Sequence, residues 1–154
     1  MPHPPKPDFQ SLAFQFFNEV AIIDQLGNTR LERVLPDGLS IAGFGLLNHF
    51  VRLDLHHETP SQLAKAFQVT KGAMTNTIQR LAAKGWIEIE AAPEDGRSKR
   101  VKITQAGRAT RDAALASLVP SLNQLAELID GDDIAALLPS LMKIRTILDT
   151  NREP

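Results

Sequence analysis

Apolar residues recur at helical spacing over residues 9–34, where Phe9, Leu12, Phe16, Val20, Ile23 and Leu26 form one stripe. Phe14, Phe17, Ala21 and Ile22 add apolar surface on other sides, as in a helix covered by more than one neighbour. Gly27 and Asn28 mark a bend or interruption, and residues 36–38 (Pro-Asp-Gly) a turn. Ser40 caps a second predicted helix reaching about residue 55, with Phe44, Leu47, Val51 and Leu55 on one face. Thr59, Pro60 and Gln62 form a capping box with proline at the first helical position, opening a short helix that ends near Phe67. Thr70 caps a fourth helix, which runs to Lys84 and stops at Gly85.

The period then changes from 3.6 to 2. Residues 86–90 and 100–104 alternate and favour strands. Between them Asp95-Gly96 signals a turn, in a loop that looks longer than two residues. Thr104 or Gln105 opens a long helix to about residue 129, which Pro120 should kink or split. Residues 130–133 read as a turn and cap. A last helix is expected over 132–149, with Ile134, Leu137, Leu138, Leu141, Ile144 and Leu148 as its stripe and a kink at Pro139. Two short helices joined by a few residues and followed by a two-stranded ribbon make a winged helix-turn-helix. The expected fold is therefore mainly α with a small β-wing.

Composition narrows the function. The 154 residues suit one domain with a real core. The absence of cysteine excludes a disulfide framework, a cysteine nucleophile and the usual structural zinc site. No cofactor is expected. Residues 1–8, rich in proline, read as a flexible arm and lack the apolar core of a secretion signal. No run approaches the roughly 20 apolar residues of a membrane helix, so a cytoplasmic location is expected.

Charge is segregated. The chain carries a net −1, but residues 71–111 hold nine cations and four acids, a net +5, which leaves −6 elsewhere. That segment contains the fourth helix and the ribbon. On the helix, Met74, Thr77, Ile78 and Leu81 share the inward face. Gly72, Thr75, Asn76 and Gln79 face the other way, flanked by Arg80, with Thr70 and Lys71 at the start. Asn and Gln can bond adenine bidentately in a major groove, Thr can meet a thymine methyl, and Lys71 could meet phosphate. On the ribbon, alternation puts Ile87, Ile89, Val101 and Ile103 inward and Arg100 and Lys102 outward, with Arg97, Ser98 and Lys99 near the tip. A solvated charge run is the plain alternative.

Residues 61–107 resemble the winged helix-turn-helix of the MarR family of bacterial regulators. The likeness lies in the "LA" helix, the "VTK" start of the recognition helix, "RL..KG" at its end, the Asp95-Gly96-Arg97 wing motif and "IT..G" opening the next helix. The resemblance implies a homodimeric regulator, with repression as the expected output, bound to a near-palindromic double-stranded operator. It divides the chain into an arm (1–8), an N-terminal dimerisation helix (9–38), the DNA-binding domain (39–104) and C-terminal dimerisation helices (105–154). The recognition helix, about 70–84, would enter the major groove. The wing, about 91–100, would lie on the minor groove or backbone, with Arg97 as its probe oriented by Asp95. The apolar first and last helices support dimerisation independently, since they carry more apolar surface than a small winged domain can cover.

The family also commonly releases DNA on binding a small aromatic or anionic effector. Phe16, Phe17, His49 and Arg52 are candidates to line that site, as aromatic and cationic groups on the first two helices. His56-His57-Glu58 is a poor metal site, because adjacent helical residues point about 100° apart. Residues 130–133 lack the distal glutamate of a calcium loop. Trp86 reads as core. The alternative to a DNA regulator is a winged-helix protein-interaction module without DNA binding.

Overall fold

Capping chemistry sets where the helices begin. The computed structural model describes residues 6–92 and 95–152, with only the backbone course at 95 and 96. Asp8 caps α1 (Phe9–Glu32) by accepting the Ser11 N–H at 2.8 Å, a bond that holds its carboxyl below the ordinary carboxylate range. The expected interruption at Gly27 and Asn28 is absent. Asn28 Nδ2 donates to Asp24 Oδ2 at 3.1 Å and Thr29 Oγ1 donates to the Gln25 carbonyl at 3.0 Å, so side chains support the helix across the glycine.

Ser40 caps α2 (Ile41–Arg52), which stops three residues short of the expected Leu55. Asp54 turns left-handed at φ 50, and the Leu55 N–H folds back onto the Phe50 carbonyl at 3.0 Å. Leu55 still packs on the core from outside the helix. The capping box of α3 (Pro60–Phe67) forms as expected: Gln62 N–H donates to Thr59 Oγ1 at 3.1 Å and Thr59 N–H to Gln62 Oε1 at 2.9 Å. Gln68, left-handed at φ 52, makes the tight turn to α4 (Lys71–Ala83), which Thr70 caps and Gly85 ends at φ 74.

Strands β1 (Ile87–Ala92) and β2 (Asp95–Ile103) pair antiparallel, with Ile87 opposite Ile103 and Ile89 opposite Val101. A register shift at Ala91 and Ala92 lets Ala92 pair with Asp95. The expected long loop is thereby corrected. Asp95 and Gly96 belong to β2, and the strands are joined by residues 93 and 94 alone, which lie outside the described residues. The other edge of β2 is also paired. Val101 donates its N–H to the Glu58 carbonyl at 2.8 Å, and Glu58 donates back at 3.1 Å. Sequence alternation could not reveal this one-residue third edge.

These elements converge on one core. Leu46, Leu47 and Phe50 of α2 meet Leu63 of α3, Met74, Ile78 and Leu81 of α4, Ile87 and Val101 of the ribbon, and Ala114 of the helix that follows the ribbon. Burying each large apolar side chain contributes about 1.5–3 kcal/mol. Ile89 shares the pleat of Ile87 and was expected inward, but it is 41% exposed although Val101 opposite it is fully buried.

Helix α5 (Gln105–Ala126) begins against the end of α4. The Thr104 hydroxyl donates to the Gly85 carbonyl at 2.7 Å and accepts the Gly107 N–H at 3.0 Å. A Cβ on Gly107 would lie 2.0 Å from the Trp86 carbonyl oxygen, so only glycine permits this approach. The "IT..G" motif thus fastens α5 to the Gly85–Trp86 turn.

One compact unit ends at Leu118 and a second begins at Val119. The second holds the end of α5 and α6 (Gly131–Thr150), capped by Asp130. Pro120 and Pro139 lie inside continuous helices, so neither splits its helix. Neither α1 nor α6 buries a single residue, and Phe9, Phe14, Ile23, Leu137 and Met142 are among their exposed apolar side chains. Among the described residues, no helix is long and apolar enough to cross a membrane.

Candidate nucleic-acid interface

The two faces of α4 divide as the sequence predicts. Met74, Ile78 and Leu81 are buried, while Thr70, Lys71, Gly72, Thr75, Asn76, Gln79 and Arg80 are exposed. Nothing lies within 4 Å of a Cβ built on Gly72, so the helix surface there is open. The face offers amides, two hydroxyls and two cations with no carboxylate among them. That suits base edges and phosphates better than a generic solvated surface.

The wing is more constrained than its sequence suggests. Arg97, Ser98 and Lys99 border a cleft of ≈ 350 Å³ whose other wall is Thr59, Pro60 and Ser61 at the start of α3. A helix N-terminus beside two cations is an anion-attracting surface. The side chain of Asp95 lies outside the described residues, so its expected bond to Arg97 does too.

Arg100 and Lys102 do not simply face solvent. Glu90 Oε1 stands 3.3 Å from Lys102 Nζ and 3.7 Å from Arg100 Nε. Arg100 Nη1 reaches His57 Nε2 at 3.3 Å, and its side chain is only 18% exposed. Its Nε is buried with no hydrogen-bond acceptor among the described residues. Arg100 is therefore largely engaged in holding the ribbon together. Arg111, counted with the basic segment, forks onto Asn48 Oδ1 at 2.9 and 3.1 Å and ties α5 to α2. Lys71, Arg80, Arg97 and Lys99 are exposed.

Of the expected effector residues, Phe16 and Phe17 stack edge to face at 5.2 Å on α1, with Phe17 exposed. His49 has contacts of its own. Its Nε2 lies 3.2 Å from Glu58 Oε2, and its ring meets Phe67 at 5.1 Å. Glu58 thus joins α2 through its side chain and β2 through its backbone, a linking role that sequence reading missed. Arg52 is exposed at the end of α2.

Residues 38–98 match the family model MarR_2, described as MarR family. The multiple antibiotic resistance protein MarR of Escherichia coli is 34% identical over 87 residues, which is 56% of this chain and 60% of that protein. The match thus spans under two thirds of the curated relative. Wild-type E. coli MarR in its apo form superposes with a TM-score of 0.71 at 29% identity, covering 82% of this chain and 94% of the other. A mutant of E. coli MarR complexed with operator DNA superposes with a TM-score of 0.70 at 27% identity, covering 90% and 99%.

Proposed function

We propose that the chain, whose residues 38–98 match the MarR family model, is a homodimeric, sequence-specific regulator of double-stranded DNA that acts as a repressor. Helix α4 lies in the major groove, and the wing follows the adjacent backbone or minor groove. The observation that carries this reading is the exposed face of Gly72, Thr75, Asn76 and Gln79 on a helix whose opposite face is locked into the core. The similar MarR bound to operator DNA supports it. So does the cleft between Arg97, Lys99 and the start of α3, which suits a backbone phosphate. The operator-DNA complex of the similar MarR also supports a role without catalysis.

The uncovered apolar faces of α1 and α6 support a dimer, in which they meet their counterparts on a second copy. A two-fold dimer prefers a near-palindromic site with half-sites about one helical turn apart. The N-terminal arm, α1, the winged domain and the C-terminal helices then divide the work as expected from the sequence. Control by a small aromatic or anionic effector near Phe16, Phe17, His49 and Arg52 completes the proposal. The Phe16–Phe17 pair offers it an aromatic surface, and a ligand screen by thermal shift tests it.

Footprinting the full chain on genomic fragments tests the DNA reading. Protection of a palindrome that weakens steeply with salt is expected. Absence of protection at every salt, with dimerisation retained, would favour a protein-interaction module instead. Arg97→Ala should weaken binding about tenfold and reduce the salt slope by about 0.9, the release of one counterion. Unchanged affinity would reduce the wing tip to a solvated hairpin.

A further inference from the structure

Over residues 88–90 and 100–102 the outward face of the ribbon carries no net charge. Its register sets Glu88 opposite Lys102 and Glu90 opposite Arg100, two acids against two bases. One oxygen, Glu90 Oε1, serves both cations. A phosphate oxygen meeting the same pair would take the same place. The two cations differ in freedom. Arg100 is mostly buried and held at its far end by His57, so it stays in the ribbon. Lys102 is 40% exposed, and its ammonium sits on a flexible stem that can turn outward. A half-exposed ion pair in water is weak, so a phosphate can displace it.

Resting on the DNA-binding reading above, we propose that Glu90 is an internal competitor for DNA phosphate. It holds Lys102 and thereby sets the strength and salt dependence of the wing's sequence-independent attraction to DNA. Arg100 is a positioning residue that keeps Glu90 in place. Until Lys102 exchanges carboxylate for phosphate, it adds nothing to the wing's attraction to DNA.

The test is fluorescence anisotropy of the full chain on a labelled mixed-sequence duplex across a salt series. Glu90→Gln should raise affinity about five- to tenfold near 0.1 M salt and steepen the slope of log K against log salt by about 0.9. Glu88→Gln removes the same charge from the same strand and face, and should give a smaller rise with the slope unchanged. Lys102→Gln added to Glu90→Gln should return the slope to its wild-type value. Equal responses to Glu88→Gln and Glu90→Gln would leave only a net-charge effect and overturn the proposal. So would weaker binding by a Glu90→Gln protein whose thermal unfolding is unchanged. If the amide variant loses its fold, Glu90→Asp keeps the charge but withdraws it from Lys102, and should steepen the slope by a smaller amount; no change would overturn the proposal. A wild-type chain that binds no duplex at any salt would overturn the DNA-binding reading itself, whereas a wild-type chain that binds and a folded Glu90→Gln that responds no differently would overturn only the role of Glu90.

Discussion

Helices α2 and α1 are both rich in apolar residues, yet α2 buries Leu46, Leu47 and Phe50 almost completely while α1 buries nothing. Helix α6 repeats the behaviour of α1. Apolar periodicity marks a face that must be covered, but not by what. The face of α2 is satisfied by α3, α4 and the ribbon of the same chain. Only the end of α1, at Leu31, reaches that core. For the rest of α1 and for α6, a second copy of the chain is the proposed cover.

Substitutions on the two kinds of face should have different readouts. Phe50→Ala removes a fully buried ring and should cost about 3–5 kcal/mol in denaturant unfolding. Ile23→Asp places a charge on the uncovered face of α1. It should cost about 3 kcal/mol of association, on the order of a hundredfold in the dimer dissociation constant by sedimentation, with helix content retained. Should Ile23→Asp instead leave association untouched, the uncovered face would need another occupant. Gly107→Ala sharpens the contrast from within the winged domain. Its methyl would collide with the Trp86 carbonyl, so a loss of about 1–3 kcal/mol or more is expected in thermal or denaturant unfolding. Wild-type stability there would mean that α5 can shift away from the recognition helix without cost.

Local signals were legible in the sequence and long-range ones were not. The capping box at Thr59 and Gln62, the proline at position 60 and the stop at Gly85 are chemistry within a few residues, and they stand where the pattern put them. The two faces of α4 follow from the helical period alone. By contrast, α2 ends early because the chain must turn at Asp54 and bring Glu58 alongside Val101, a partner 43 residues away. The prolines at 120 and 139 sit within continuous helices, since a missing N–H costs one hydrogen bond and need not end a helix. The ion pairs of the basic wing are hidden from the sequence for a similar reason. Its cations are adjacent in sequence, but the acid that engages two of them sits on the opposite strand, visible only once the register is known. Arg111 likewise reads as part of the basic segment until Asn48 is found beneath it.

The central claim is that the polar face of α4 reads bases. It is tested most directly by the affinity of Asn76→Ala/Gln79→Ala, in full-length protein, for the footprinted operator and for a mixed-sequence duplex at one salt concentration. Operator affinity should fall about tenfold to a hundredfold, towards that for mixed sequence, because bidentate amide contacts to bases contribute about 1–3 kcal/mol each of discrimination. An operator preference unchanged from wild type would contradict the account.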